Sequence, residues 1–350
     1  MRILLVFTFF AFFTLSATAQ TASSNADSAT FDPDGTAHIT RVVPVPMTVS
    51  PEAQQWLKEI ESNSPQREET LAERRKHTDE WRARDSAEAR RLYPVNIEEN
   101  TTAGVRTDII TPLSMPDANK SRVLINLHGG GFNSDSGSLI EGVPIANLAK
   151  IKVVSVYYRL APENPFPAAV DDTVAVYKEL LKSYQPRSIG IFGTSAGAIL
   201  TAEVAVKLKQ SGLPLPGALG IFSGLADFSR TADSQQIFAL NGFSGNISPQ
   251  PPIGTHDQGY VGKTDPKNPV LSPLYADLHG FPPCLLVTGT RDLLLSNTSI
   301  FHLALLRAGV DSQLLVYEAM PHAFWYHFQL PETKEVLQLM ANFFDQKLGK

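Results

Sequence analysis

The chain of 350 residues contains one cysteine, Cys284, so no intramolecular disulfide can form. Cys284 lies in the apolar run from Pro283 to Val287. It reads as a small buried hydrophobe and not as a nucleophile. The chain also lacks a basic excess. Thirty Lys and Arg stand against 35 Asp and Glu, for a net charge of −5. Nucleic acid is therefore not expected as a partner. There is no His-Glu-x-x-His, the histidines are scattered, and no Gly-x-Gly-x-x-Gly occurs, so neither a metal nor a dinucleotide cofactor is expected. Beyond the first residues no apolar run is long enough to span a bilayer, and no internal repeat is visible.

What is present is an ordinary supply of core residues, 43% hydrophobic. Arg2, the apolar run Ile3 to Leu15 and the small-x-small site Ala17-Thr18-Ala19 read as a signal peptide over 1–19. Export to the periplasm or the medium is the corresponding expectation. Residues 20–50 are polar and without period, which predicts a flexible leader. Residues 51–92 predict two amphipathic helices that serve as a cap, carrying Trp56, Leu57 and Ile60 and then Leu71 and Trp81. From 93 to 350 the chain reads as the main domain. A hairpin around Thr102-Ala-Gly104 opens it, and short apolar strands then alternate with helices. The pattern implies an α/β fold with a mostly parallel sheet covered on both faces. Residues 227–273 interrupt it with a long polar stretch rich in Gly, Pro and Ser, expected to join the N-terminal helices as a cap insertion.

The most informative segment is Ile189-Gly-Ile-Phe-Gly193-Thr-Ser195-Ala-Gly197, followed by Ala198-Ile-Leu200. An apolar strand runs into Gly-x-Ser-x-Gly and an apolar helix leaves it, the setting a nucleophile elbow requires. Glycines at 193 and 197 let strand and helix approach closely. The helix N-terminus places N–H groups where negative charge would develop at Ser195. A second strand ends in His128-Gly129-Gly130-Gly131-Phe132. Such glycines free backbone N–H groups to face a pocket, as in an oxyanion loop working with the N–H of Ala196. A phosphate loop is disfavoured because no Gly-Lys-Ser/Thr follows. His128 reads as a structural residue holding the loop.

A serine nucleophile needs a base, and that base needs an orienting acid; in this fold type both follow the serine, acid first. His256 lies in the polar insertion, His279 in a turn, His302 in a helix and His327 among aromatics. His322 lies in the loop beyond the last strand, where the chemistry of an open α/β sheet collects. Asp292 is the only carboxylate in the loop after the preceding strand, with Asp311 and Glu318 as substitutes.

In combination and order, these blocks resemble the hormone-sensitive-lipase-like esterases of the α/β-hydrolase superfamily. The blocks are His128 to Phe132, Tyr158-Arg-Leu-Ala-Pro-Glu163 continuing to Asp171-Asp172, Gly193 to Gly197, and the Asp292 and His322 loops. The likeness runs from Tyr93 to the C-terminus. It implies an α/β-hydrolase fold, with a mostly parallel eight-stranded sheet flanked by helices and a helical cap. It implies hydrolysis of short acyl esters or lactones, a small-molecule ester as partner, and no cofactor. Oxyanion donors would fall on Gly130, Gly131 and Ala196, and Arg159 would pair with Asp171. A homodimer through Ser312 to Tyr317 and the final helix is a further expectation from the resemblance. The chain departs from the common pattern at Thr194, Ala198, Ser296 and Ala323. An amidase or peptidase on the same triad, and a non-catalytic ligand-binding homologue, stay open at this point.

Overall fold

Short, fully apolar segments that alternate with helices pack efficiently in one way, as a sheet covered on both faces. The computed structural model describes residues 27–62, 70–135, 137–244 and 259–349. It divides into two units, Met1–Val45 and Pro46–Lys350. The expected signal peptide lies outside the described residues, as does His256.

In the first unit, β1 (Ser28–Phe31) and β2 (Ala37–Thr40) pair antiparallel. The hairpin lies within the stretch 20–50 expected as a leader, of which 20–26 lie outside the described residues. The turn between the strands is Asp32-Pro-Asp-Gly35, which has the residues a tight turn needs. Gly35 donates to the Asp32 carbonyl at 2.9 Å, and Asp34 Oδ1 accepts from the Thr36 N–H at 2.9 Å.

The second unit opens with α1 (Pro51–Ser62) and α2 (Leu71–Leu92). A capping box between Thr70 and Glu73 starts α2. Then follow β3 (Val95–Thr102), β4 (Val105–Pro112), β5 (Val123–Leu127), α3 (Gly142–Ala149), β6 (Lys152–Val156) and α4 (Ala168–Leu180). Next come β7 (Ile189–Thr194), α5 (Ala196–Gln210), β8 (Ala218–Phe222) and the short α6 (Asp233–Ile237). The chain closes with β9 (Cys284–Gly289), α7 (Leu295–Arg307), β10 (Ser312–Tyr317) and α8 (Pro331–Lys347).

Among the described residues eight strands make one sheet in the order β10-β9-β8-β7-β5-β6-β4-β3. The pairs β3–β4 and β4–β6 are antiparallel, and every pair from β6 through to β10 is parallel. The inner strands β5, β7, β8 and β9 are buried along their whole length, as unbroken apolar runs covered on both faces must be. The edge strand β10 is only partly buried. Cys284 opens β9 fully buried, and burial pushes its thiol well up from the ordinary value.

Two features of the topology position chemistry. From β5 the chain crosses to β6 on one side and later returns to β7 on the other. That reversal leaves a crevice beyond the C-terminal ends of β5 and β7. The four strands β7 to β10 are mutually parallel, so their C-terminal loops also gather at this end.

The N-terminal helices attach to the sheet domain through specific contacts. Ser50 donates from its N–H and hydroxyl to Glu332 at 2.8 and 2.9 Å. Trp56 packs on His327 and Trp81 on Tyr326, with ring centroids 4.4 and 5.6 Å apart. From the polar stretch after β8, Ser244 donates to the Ile60 carbonyl at 2.9 Å, so that stretch touches α1. No helix among the described residues is long and apolar enough to cross a membrane.

Candidate active site

The turn from β7 into α5 carries Ser195 at φ +58° and ψ −118°. For a residue with a side chain this conformation costs about 1–3 kcal/mol and persists only where the surroundings impose it. They do so here: the Ser195 N–H is held by the Phe222 carbonyl of β8 at 2.9 Å. A Cβ at Gly193 or at Gly197 would collide with the Leu127 carbonyl of β5, so only glycine lets elbow and strand pack this closely. The hydroxyl makes no cap bond to its own helix.

Beyond β5, Gly130 and Gly131 take φ values of +102° and +62°. The Gly130 carbonyl turns back to accept from the N–H groups of Asn133 and Ser134 at 3.2 and 3.1 Å. Among the described residues no protein oxygen accepts from the N–H groups of Gly130, Gly131 or Ala196. The loop is braced from behind. His128 stacks on Tyr158 with centroids 4.1 Å apart, its Nδ1 lies 2.8 Å from the Gly129 carbonyl, and Tyr158 donates to the His128 carbonyl at 2.6 Å. Phe132 stacks on Tyr260, 3.4 Å between centroids. Arg75 of α2 donates to the carbonyls of Asn133 and Ala161 at 2.7 and 3.0 Å and grips Glu163 with two bonds of 2.8 Å. His128 thus lies in the packing behind the loop.

Asp292, in the loop after β9, is fully buried, and its Oδ1 lies 3.0 Å from Nδ1 of His322 in the loop after β10. Oδ1 also accepts from the Leu294 N–H at 2.9 Å. Oδ2 accepts from the Thr288 hydroxyl at 2.9 Å and from the Ser223 hydroxyl at the end of β8. Burial alone would raise this carboxyl. The electrostatic pull of the His322 ring, its hydrogen bond, the Ser223 hydroxyl and the Leu294 N–H outweigh burial and leave it below the ordinary value. An ionised carboxylate only accepts, so Nδ1 carries the proton and Nε2 is left to accept one. The two loops are stitched together: Arg291 donates from its N–H to the Met320 carbonyl at 3.2 Å, and Ala319 to the Thr290 hydroxyl oxygen at 2.7 Å. Among the described residues no hydrogen bond joins the Ser195 hydroxyl to His322. Such bonds often tighten only with substrate in place.

Both substitutes for the acid, Asp311 and Glu318, are exposed, and no hydrogen bond among the described residues joins either to His322. Asp311 is exposed and pairs with Lys347 at 2.7 Å. His302 meets Ser312 at 2.8 Å, and His279 meets Asp277 at 2.7 Å. His327 is packed under Trp56, and burial pushes its imidazole down to about 4. Arg159 pairs with Asp172, Nη2 to Oδ1 at 2.8 Å, and not with Asp171 as the resemblance implied. One residue along a helix rotates a side chain by about 100°, and Asp172 is the one on the face toward Arg159. The helix α7 starts at Leu295 with no side-chain cap; Ser296 instead accepts from the Ser234 N–H at 3.0 Å. No group of His, Cys, Asp and Glu among the described residues is arranged to hold a metal ion.

Three partners were not visible in the sequence: Ser223, Arg75 and Glu141. A polar residue just past an apolar parallel strand, as in Phe222-Ser-Gly224, was the available signal for Ser223. The other two had none.

A family model described as the alpha/beta hydrolase fold matches residues 124–326. An acetyl-hydrolase of Streptomyces hygroscopicus is 30% identical over 239 residues, covering 67% of this chain and 79% of the relative. An esterase of Acinetobacter venetianus is 30% identical over 272 residues, covering 72% and 84%. A crystal structure of an esterase from the bacterial hormone-sensitive lipase family superposes with a TM-score of 0.73 at 31% identity, covering 87% of this chain and all of that one. The fold and the loops at its crest are those of an α/β hydrolase. Within that superfamily the chain belongs to the hormone-sensitive-lipase-like esterases, and it is a hydrolase acting on ester bonds.

Proposed function

We propose that the chain is a serine carboxylesterase that hydrolyses short-chain acyl esters or lactones through an acyl-enzyme. Ser195 Oγ attacks the acyl carbon while its proton passes to His322 Nε2. Asp292 holds the imidazole in the tautomer that can accept that proton and stabilises the imidazolium that results. The N–H groups of Gly130, Gly131 and Ala196 hold the oxyanion; losing one such donor costs about 3 kcal/mol of barrier. His322 then returns the proton to the leaving alcohol. Water, activated by the same imidazole, attacks the acyl-enzyme and frees Ser195. With a lactone the alcohol stays tethered to the acyl group, and the product is a hydroxy acid.

The observation that carries this reading is the 3.0 Å bond between His322 and Asp292, made beyond the same ends of parallel strands where β7 delivers Ser195. Short acyl chains are supported by the Streptomyces relative, which is named an acetyl-hydrolase.

The experiment is turnover of p-nitrophenyl esters of increasing chain length, with lactones and a matched anilide, by the wild type and by Ser195→Ala. Ester turnover that declines with chain length and disappears in a folded Ser195→Ala is the expected result. Undiminished turnover in that variant refutes the assignment. Anilide turnover as fast as ester turnover would make the chain an amidase.

A further inference from the structure

Glu141 is a buried acid that the reaction above leaves unused. It stands just before α3 with 1% of its surface exposed. Its Oε1 accepts from Asn126 Nδ2 of β5 at 2.7 Å. Asn126 is itself fixed by the hydroxyl of Ser155 on β6, 2.9 Å from its Oδ1. Oε2 meets the Thr194 hydroxyl and, at 3.4 Å, the Tyr326 hydroxyl. Thr194 Oγ1 in turn accepts from the indole N–H of Trp325 at 3.0 Å. Thr194 is the residue immediately before Ser195, and Trp325 lies in the segment that follows His322.

Packing alone does not require an acid here, because an apolar side chain of similar volume would fill the space without desolvating a carboxyl. What an acid adds is acceptance from several donors at once: Asn126, Thr194 and Tyr326 all donate to its two oxygens. Burial pushes the Glu141 carboxyl up to about 8, against the pull of Thr194, Asn126 and Tyr326, and the negative charge of Asp135 adds to the rise. At neutral pH the group carries its proton and still accepts at both oxygens. The other titratable groups around it are consistent with a neutral acid. The Tyr326 and Tyr158 phenols are pushed far up by burial, and Asp135 is engaged by His128 and by Arg82 of α2.

The nucleophile turn and the base loop come from β7 and β10, with β8 and β9 between them. The distance between Oγ and Nε2 thus depends on how the two segments are held, and a misplacement of about 1 Å can cost a hundredfold in rate. We propose that Glu141 is a positioning residue for ester hydrolysis: through Thr194 and Trp325 it locks the turn that carries Ser195 against the loop that carries His322. The inference rests on the reading of Ser195 and His322 as nucleophile and base. Glu141 touches no reacting atom; it acts by fixing Thr194, whose hydroxyl anchors the indole beyond His322.

The test measures kcat and KM for p-nitrophenyl butyrate with the wild type, Thr194→Val, Thr194→Ser, Trp325→Phe and Glu141→Gln, each checked for folding by circular dichroism. Wild-type turnover that Ser195→Ala abolishes secures the underlying reading by itself, so the two can fail separately. Thr194→Val and Trp325→Phe are expected to lower kcat by about tenfold or more with KM changed by less than about threefold. Thr194→Ser, which keeps the hydroxyl, and Glu141→Gln, which keeps a neutral donor and acceptor, are expected to stay within about threefold of wild type. Retention of wild-type kcat by a folded Thr194→Val or a folded Trp325→Phe overturns the proposal. So does a Thr194→Ser variant as slow as Thr194→Val. If Thr194→Val does not fold, Trp325→Phe against Thr194→Ser decides by the same criteria.

Discussion

Ser223 donates its hydroxyl to Oδ2 of Asp292, on the side of the carboxylate opposite the oxygen that meets His322. The first residue beyond β8 thereby holds the carboxylate carried in the loop beyond β9. Asp292 sits below the ordinary carboxylate range partly because of this donor. A carboxyl depressed in the folded state stabilises the fold above its unfolded value, and the stabilisation is lost as pH falls through the folded value. Ser223→Ala removes a donor to the ionised form and raises the folded value. Acid unfolding, followed by circular dichroism, is therefore expected to begin at a higher pH in Ser223→Ala than in the wild type. Superposable acid transitions would contradict this.

Asp292→Asn keeps the shape of the buried site and removes the charge that fixes the His322 tautomer. A loss in kcat on the order of 10³–10⁴ is expected, with the fold retained. A kcat for Asp292→Asn within tenfold of wild type would remove Asp292 from the role.

Glu141 makes the opposite pH signature. Its carboxyl is raised from an ordinary 4.5 to about 8, so the folded state holds a proton that the unfolded state has released. The stabilisation is complete below about 4.5 and declines as pH rises to about 8, by up to about 1.4 kcal/mol per pH unit. Glu141→Gln cannot ionise. Its stability relative to wild type, from urea midpoints at acid, neutral and alkaline pH, is expected to grow across that window. A difference that does not change with pH would show that Glu141 does not titrate there.

Arg75 joins the N-terminal arm to the glycine loop after β5 by holding the Asn133 and Ala161 carbonyls and Glu163. The Arg75 side chain is 31% exposed and that of Glu163 55%, so the ion pair itself contributes little. The bonds to the carbonyls matter more. Arg75→Ala is expected to lower stability by about 1–2 kcal/mol and to lower kcat, because Asn133 and Ser134 buttress Gly130. Thermal unfolding and ester kinetics on the same preparation check both. Unchanged kcat with lowered stability would limit Arg75 to holding the helix.

The parts of the site that lie within one strand and its turn were legible in the sequence. A turn motif writes its requirements locally: glycines at 130, 193 and 197, and a serine between apolar strand and apolar helix. The expected order of acid then base singled out Asp292 and His322, and the structure brings these two within 3.0 Å of each other. Partners that meet only through the fold were not legible. Trp325 reaches Thr194 across 131 residues, and Thr194 reaches Glu141 across 53. No local pattern marks either meeting. Asp171 and Asp172 differ by one position on a helix, and composition cannot say which faces Arg159. The hairpin at Ser28–Phe31 and Ala37–Thr40 lies in a polar stretch without an apolar face, where the Asp-Pro-Asp-Gly turn is the local signal.

The central claim is that Ser195 is the nucleophile, and covalent labelling tests it most directly. The wild type is treated with a fluorophosphonate probe, digested, and mapped by mass spectrometry. One adduct is expected, on Ser195, formed at a rate that falls sharply in Asp292→Asn, with ester turnover lost in proportion to labelling. An enzyme that hydrolyses esters at full rate while Ser195 stays unmodified, or that takes the adduct on another residue, would contradict it.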